Sequence, residues 1–316
     1  MSLILENVKA GLSNSRLSAQ ILTQGKRIDL FWSIDRITVV GNICNQIKDN
    51  FGNVISYDKA MDLMSERGLA IKLNNRSYQL VDSNGYNIAY VERLNFDIGK
   101  LRIDFNPNKI ARLNSFSLVE FIRKVTTSSR HVSRCDLACD LVGVDNEYMR
   151  AHRVNRPLKT EFIHDKQGKV DTLYFGSTGS KTRLRIYNKL AERQGKGYRF
   201  KDRSSWWRVE LQLRNKNAID WNKPLCDMLG SLTVNNALDE QLTGAKRVMC
   251  LGLLSDRQAW SFLSRNSRAS YRKLIEQHLV TNSLSNDLIE SYGKYEQELK
   301  QQLLNWLSVI DVTPVD

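Results

Sequence analysis

Apolar and polar residues alternate along four stretches in the middle of the chain. The stretches are 101–106, 134–141, 182–189 and 207–214. A period of two predicts β-strands that have one apolar and one polar face. In three of them the polar face combines acids with arginine, as with Asp104 and Arg102 in the first. We therefore predict that the four strands form one sheet whose polar face lines a charged cleft.

Other segments surround this predicted sheet. Further strands are predicted near 34–44, 69–81, 86–94 and 170–176. Ser56 and Ser117 stand where they would cap helices, and Gly68 would end the first of these. From about residue 216 the apolar spacing becomes helical, which predicts helices at 216–230, 236–254, 256–279 and 284–307. The pattern predicts an α+β fold with an antiparallel-rich central sheet and a helical C-terminal part.

The same pattern divides the chain into three regions. Residues 1–30 are predicted to be an irregular N-terminal arm, 31–255 a core that carries the sheet, and 256–316 a helical region. The last predicted helix carries a stripe of large apolar residues at four-three spacing, from Leu284 to Trp306. We interpret this stripe as packing on the chain's own core, with dimerisation as the less favoured alternative.

The stretch 182–189 has the chemistry of greatest interest. Its polar face carries Arg183, Arg185, Tyr187 and Lys189. A phenolate can attack phosphorus, and neighbouring cations both favour the ionised phenol and stabilise charge that develops on phosphoryl oxygens. The alternative is an amphipathic strand with a surface tyrosine, and the stretch alone does not decide between the two.

The overall charge narrows the class of partner. The chain has 47 Lys and Arg against 34 Asp and Glu, a formal net charge of +13. This excess favours nucleic acid over an anionic membrane, because no segment has the apolar length of a membrane span. The alternative is a merely basic protein. Five cysteines without a Cys-x-x-Cys pair, and an N-terminus without a signal peptide, predict the reducing cytoplasm.

Acids on the predicted strands suggest a metal. Asp136 and Asp140 share one face of 134–141, and Glu210 occupies the polar face of 207–214. Carboxylate oxygens suit Mg²⁺ or Mn²⁺. Residues four apart on a strand are roughly 13 Å from each other, so the two aspartates do not easily share one ion. The alternative is an edge strand with solvated acids.

A basic segment lies among the predicted C-terminal helices. It contains Arg257, Arg265, Asn266, Arg268, Arg272 and Lys273. Arginine, asparagine and serine on a helix read base edges in the major groove. We therefore consider a DNA-reading surface alongside an ordinary solvated face.

The chain also resembles a known family, the Rep_trans rolling-circle initiators of small plasmids of Gram-positive bacteria. The resemblance follows motifs in order at 13–17, 37–42, 102–109, 134–140, 174–176, 185–189 and 207–210. Within 185–189 the chain reads Arg-Ile-Tyr-Asn-Lys, which contains the family's nucleophile and identifies it here as Tyr187. One departure is Asp104, where the family usually has a glutamate.

The resemblance implies a mechanism and a set of partners. The initiator would bind double-stranded origin DNA, and Tyr187 would nick the single-stranded loop of an extruded hairpin. A 5′-phosphotyrosine and a 3′-OH primer would result, with religation at termination. Asp136, Asp140 and Glu210 would serve a divalent metal, while Arg183, Arg185 and Lys189 would neutralise the transition state. The expected partners are a host helicase of the Rep/UvrD type and a second copy of the chain in a homodimer.

Two alternatives use the same residues differently. A relaxase of a conjugative or mobilisable element would apply the same tyrosine chemistry to a transfer origin. A DNA-binding repressor would need no nucleophile, so a Tyr187→Phe substitution would leave it unaffected.

Overall fold

The computed structural model describes residues 17–23, 26–49, 51–115, 117–127, 129–200, 204–234, 238, 241–278 and 283–312. In chain order the strands within these ranges are β1 (Leu17–Thr23), β2 (Lys26–Asn42), β3 (Ile47–Lys48), β4 (Val54–Ile55), β5 (Ala70–Lys72), β6 (Ser77–Val81), β7 (Asn87–Arg93), β8 (Lys100–Phe105), β9 (His131–Val142), β10 (His152–Val154), β11 (Thr160–His164), β12 (Val170–Phe175), β13 (Thr182–Asn188), β14 (Trp206–Arg214) and β15 (Leu232–Val234). The helices are α1 (Tyr57–Glu66), α2 (Pro107–Leu113), α3 (Ser117–Val125), α4 (Asn146–Arg150), α5 (Lys189–Gly195), α6 (Asn222–Gly230), α7 (Gly244–Ser255), α8 (Arg265–His278) and α9 (Ser283–Val309).

One large antiparallel sheet organises the described residues. Its strands follow the order β11-β12-β13-β14-β9-β2-β8-β7-β6-β5, and β1 pairs with β2 beside this path. The predicted α+β class with an antiparallel-rich sheet is therefore confirmed. Three of the four strands with predicted polar faces, β13, β14 and β9, are direct neighbours, whereas β2 separates β9 from β8.

The apolar face of the sheet forms the main core. Leu184, Ile186 and Val209 are fully buried there, as the alternation predicted. Helix α9 covers part of this core, and its apolar stripe is buried with it, including Leu288 and Trp306. The interpretation of that stripe as packing on the chain's own core is thus confirmed.

The N-terminal part of the sheet differs from the prediction. Residues 17–23 form β1, and β2 already begins at 26, so the expectation of an irregular arm over 1–30 is wrong for these residues. The rest of that arm lies outside the described residues. The sequence pattern did not predict this strand. Strand β1 forms because its backbone pairs along its length with β2, and such pairing requires no apolar alternation.

Several other helices and strands also differ from the predicted ones. The strand predicted over 69–81 is split into β5 and β6 by a turn, in which the Asn74 side chain accepts a hydrogen bond from the Arg76 amide. The stretch 107–113 forms α2, a helix that was not predicted, because Asn106 caps it and Pro107 begins it. The stretch 145–170 contains α4, β10 and β11.

A second, smaller core lies in the C-terminal part. Leu242, Cys250, Leu253 and Ile275 pack together there, so that α7, a short 3₁₀ turn at Gln258–Phe262 and α8 form a helical satellite. The boundary predicted at 255–256 falls inside this satellite, and α9 belongs to the main core. Within the described ranges, no helix is both long and apolar enough for a membrane span.

Candidate active site on the polar face of the sheet

Tyr187 lies near the end of β13, with its ring on the polar side of the sheet. The register places it beside Arg208 of β14, which in turn lies beside Asp140 of β9. Only 3% of Tyr187 is exposed. Its phenolic oxygen accepts a hydrogen bond from Lys189 Nζ at 3.0 Å. The structure therefore brings together the tyrosine and the lysine that the sequence placed on one face.

Lys189 reaches Tyr187 from a helix. The side chain of Asn188 accepts a hydrogen bond from the Ala191 amide, which ends β13 and makes Lys189 the first residue of α5. The prediction that Lys189 belongs to the strand is wrong for this reason. Glu192, one turn later, lies 2.5 Å from Lys189 Nζ and also pairs with Lys196. Burial would raise the pKa of Glu192, but these two lysines outweigh it and lower the pKa to about 2.

The electrostatic surroundings of Tyr187 keep its phenol protonated at rest. Burial raises its pKa above the ordinary value, and the Arg208 charge opposes that effect. The Glu210 and Asp35 carboxylates raise the pKa further, whereas Arg185 lowers it. Because a neutral phenol is a weak nucleophile, the site needs a proton acceptor and stabilisation of the phenolate.

Two tyrosine rings and two guanidinium groups stack into a column on β12 and β13. The Arg183 guanidinium lies 3.9 Å from the centre of the Tyr174 ring, and that of Arg185 lies 5.5 Å from the same centre. Arg185 also lies 3.8 Å from the centre of the Tyr187 ring. Its Nε atom is buried and has no hydrogen-bond partner among the described residues. The predicted Arg183 and Arg185 are therefore both in the site, and stacking fixes Arg185 beside the nucleophile.

Arg208 connects the acids around the site. Its Nε and Nη2 donate to the two oxygens of Asp140 at 2.6 and 2.8 Å. Its Nη1 donates to Asp35 Oδ1 at 2.7 Å, and the Asn106 side chain donates to the same oxygen at 3.1 Å. Burial would raise the pKa of Asp35, but the Arg208 and Lys189 charges bring it below its ordinary value. No described residue hydrogen-bonds Asp35 Oδ2.

Sequence reasoning missed Asp35 as a site residue. Ile34 and Ile37 are both buried, so the alternation along β2 changes parity between them. The pairing of β2 with β9 has its register shift at the same point, between Ile34 and Arg36. This bulge changes the direction in which the side chains point and places Asp35 beside Arg208. The parity change was visible in the sequence and is the signal that could have found it.

The three acids predicted to hold a metal are not arranged as one site. Arg134 donates hydrogen bonds to both oxygens of Asp136 at 2.6 Å, and Arg208 donates to both oxygens of Asp140. Glu210 accepts one hydrogen bond, from Gln212 Nε2 at 3.3 Å. Within the described part of the chain, no three acidic, histidine or cysteine side chains converge closely enough to hold an ion. Carboxylate oxygens are suitable ligands for Mg²⁺, but the two aspartate carboxylates are arranged to bind guanidinium groups.

The residues predicted to read DNA fall into two groups. Arg265, Asn266, Arg272 and Lys273 are exposed on α8, and Asn266 and Lys273 help to line a surface cavity of about 610 Å³. Arg272 also lies 5.5 Å from the centre of the Trp260 ring.

The other two arginines of that predicted set bind backbone carbonyls. Arg268 donates to the carbonyl of Leu263 at 2.9 Å. Arg257 donates to those of Arg156, at 2.9 Å, and Leu158, and so ties the satellite to the main body. Arg257 and Arg268 therefore each use part of their guanidinium group for backbone contacts, and a role in reading bases stays a prediction for them.

Comparison with known proteins identifies relatives over almost the whole chain. A family model described as a replication initiation factor, Rep_trans, matches residues 142–244, which include β13 and β14. A replication initiation protein of Staphylococcus aureus is 30% identical over 302 residues, covering 94% of this chain and 90% of the relative. A second one from that organism is 27% identical over 303 residues, with the same coverage. Among solved structures, a rolling circle replication initiator protein from Geobacillus stearothermophilus matches with a TM-score of 0.40 and 13% identity, over 71% of this chain and 96% of that one.

Proposed function

Since the chain belongs to the Rep_trans family of replication initiation factors, we propose that it starts rolling-circle replication of a plasmid by nicking origin DNA with Tyr187. The observation that carries this proposal is the hydrogen bond from Lys189 to the Tyr187 phenolic oxygen, next to the stacked guanidinium of Arg185. A phenol held between cations is suited to attack a phosphodiester.

In the proposed reaction the Tyr187 oxygen bonds to the scissile phosphorus, and the bond from phosphorus to the 3′ oxygen breaks. The products are a 5′-phosphotyrosine and a 3′-hydroxyl, which takes up a proton as it leaves and primes synthesis. Lys189 stabilises the charge on the phenolic oxygen once its proton has left. Glu210, whose carboxylate acts on the phenol and accepts only one hydrogen bond, from Gln212, is the acceptor that we propose for that proton.

Arg185 is the cation that we assign to the non-bridging phosphate oxygens. Its ring contacts leave the guanidinium edge available, and its Nε lacks a partner among the described residues. Arg183 already donates to the Gly176 carbonyl at 3.2 Å and lies 3.5 Å from Glu161, so its contribution is to hold Tyr174 beneath Arg185. Because the phosphotyrosine keeps the energy of the ester bond, attack by a 3′-hydroxyl reverses the step and religates the strand without ATP.

The divalent ion that the resemblance implies enters no step of this proposal. Asp136, Asp140 and Glu210 do not fit an Mg²⁺ or Mn²⁺ site as arranged, since arginines occupy both oxygens of each aspartate. An ion at those positions would first have to displace these arginines, at the cost of leaving buried cations unpaired.

We further propose that the satellite selects the duplex origin through α8, whose exposed Arg265, Asn266 and Lys273 are of the types that contact base edges and phosphates. Helix α7, the turn and α8 share one small core, which gives α8 a rigid support. The homodimer and the helicase of the Rep/UvrD type come from the resemblance alone and stay predictions.

The test is a Tyr187→Phe variant assayed with single-stranded nick-site DNA and with duplex origin DNA. We expect no covalent protein–DNA adduct on denaturing gels and nearly unchanged duplex binding, because Leu184 and Ile186 still hold the strand. A Tyr90→Phe variant removes the same atom on β7 and serves as the matched control. An adduct that persists in Tyr187→Phe would exclude Tyr187 as the nucleophile.

A further inference from the structure

Two short helices flank the Tyr187 site, and both begin at residues that belong to it. Asn106, the N-cap of α2, donates to Asp35 Oδ1 at 3.1 Å. Lys189, the first residue of α5, donates to the Tyr187 phenolic oxygen. Arg208, which pairs in register with Tyr187, binds the same oxygen of Asp35, so both helices begin at one part of the polar face.

Three cations on these two helices lie outside the ion pairs of the described residues. Lys109 and Arg112 are on α2, and Arg193 is on α5. Burial lowers the pKa of Lys109, and the charges of Arg112, Lys196 and Arg193 lower it further. Lys109, Arg112 and Arg193 form no ion pair with any carboxylate in the described ranges. In addition, Arg193 Nε is shielded from solvent and has no hydrogen-bond partner there.

The absence of pairing on this face contrasts with the sheet beside it. There, Arg102, Arg134 and Arg208 each bind a carboxylate of Asp104, Asp136 or Asp140. Like charges held together without acids repel one another and are complementary to a polyanion. The Asp82 charge raises the pKa of Lys109, but the Asp82 carboxylate already accepts hydrogen bonds from the backbone amides of Asn84 and Tyr86.

An exposed aromatic ring adjoins the cations. Tyr198 follows α5 and is 50% exposed, and the Arg193 guanidinium lies 5.3 Å from the centre of its ring. Cations along a backbone track together with an open aromatic face are the features by which proteins bind unpaired nucleic acid strands. A base can stack on such a ring only when it is not paired within a duplex.

We propose that Lys109, Arg112, Arg193 and Tyr198, here termed the α2–α5 face, bind the single-stranded DNA that continues from the scissile phosphate. This inference rests on the proposed nicking function and adds the surface that holds the substrate strand. The cations bind successive phosphates, and Tyr198 stacks on one unpaired base. In this arrangement duplex DNA binds elsewhere, at the exposed side of α8 on the satellite.

The experiment compares two double variants in a Tyr187→Phe background, where binding is not followed by cleavage. Lys109→Gln with Arg193→Gln alters the α2–α5 face, and Lys48→Gln with Lys72→Gln removes the same charge from exposed positions on β3 and β5. Affinity for a single-stranded nick-site oligonucleotide is measured over a range of salt concentrations. We expect the slope of log affinity against log salt to fall by about 1.4 in the first variant only, at ~0.7 per lost phosphate contact.

A second pair of variants tests stacking. Tyr198→Ala should weaken single-strand binding roughly five- to hundred-fold, while Tyr198→Phe, which keeps the ring, should bind like the parent protein. Binding to duplex origin DNA should be the same in all these variants. Equal losses for both double variants, or a Tyr198→Ala protein that binds the oligonucleotide as its parent does, would overturn the proposal.

Failure of the nicking function would be recognised separately. In that case the protein with Tyr187 intact would form no adduct with the same oligonucleotide, whatever the binding comparisons show. If the adduct forms and the α2–α5 variants bind like the controls, only the inference about this face is wrong.

Discussion

The polar face of the sheet has two parts, which differ in whether their arginines are paired with carboxylates. In the first, here called the paired part, Arg134 binds Asp136 and Arg208 binds Asp140, each through two hydrogen bonds. In the second, the open part, the Arg185 guanidinium has only ring contacts among the described residues, and it lies beside Tyr187. Both parts are built from strands with the same alternation of polar and apolar residues, so the difference comes from which side chains the register brings together.

This comparison separates charges that hold the protein together from charges available to a substrate. A buried ion pair that satisfies both partners has little left to offer a phosphate, and breaking it leaves an unpaired buried charge. A stacked guanidinium with an unsatisfied nitrogen keeps most of its hydrogen-bonding capacity. We therefore expect substitutions in the paired part to affect folding first, and substitutions in the open part to affect cleavage first.

The largest expected effect on stability belongs to Asp140→Asn in the paired part. The substitution removes the bidentate partner of the buried Arg208, which keeps its hydrogen bond to Asp35, and should lower the free energy of unfolding by about 3 kcal/mol. Chemical denaturation of wild type and variant measures this loss. As a check on the metal hypothesis, the Mg²⁺ dependence of cleavage by the folded variant should match that of wild type. Rescue of cleavage by high Mg²⁺ would instead identify Asp140 as a ligand and contradict the assignment to a structural pair.

In the open part, Lys189→Met should slow cleavage by roughly 10²–10³-fold, as for the loss of one donor to a developing oxyanion. The reason is the hydrogen bond from Lys189 to the Tyr187 oxygen. Single-turnover cleavage of a nick-site oligonucleotide at saturating protein measures the rate of the chemical step. Lys294→Met is a suitable control, because Lys294 also pairs with a glutamate but lies on α9. If both variants cleaved at the wild-type rate, Lys189 would have no role in the chemistry.

The same distinction applies to α8. Arg265 is exposed, and Arg265→Ala should weaken duplex-origin binding by about 1–3 kcal/mol if the contact is bidentate to a guanine. Arg268 is bound to the Leu263 carbonyl, so Arg268→Ala should lower the melting temperature of the protein before it alters sequence preference. Binding to origin and unrelated duplexes, measured beside thermal unfolding, separates the two effects. An Arg265→Ala protein that loses affinity equally for all duplexes would assign this residue to phosphate binding.

The sequence predicted what depends on near neighbours. Alternation over 182–189 placed Arg185 and Tyr187 on one face of a strand, and the structure agrees. It did not predict that Arg208 and Asp35 meet, since 173 residues separate them and a bulge in β2 sets their alignment. Strand register and bulges depend on pairing between distant segments, which a period of two does not encode. The position of Lys189 was also missed, because the cap by Asn188 ends the strand one residue earlier than the alternation suggests.

The smallest expected effect concerns Glu192, which lies behind the open part and orients Lys189. Because the pKa of Glu192 is lowered to about 2 in the folded protein from an ordinary 4.5, its contribution to stability is fully present above pH 4.5. That contribution is lost as the pH falls towards 2, where the carboxylate takes up a proton in both states. In Glu192→Gln the free energy of unfolding should therefore depend less on pH over this interval, while Glu290→Gln on α9 removes an equally charged partner of an exposed lysine as a control. Unfolding curves recorded between these pH values measure the difference, and identical slopes for wild type and Glu192→Gln would mean that Lys189 is held in place without this carboxylate.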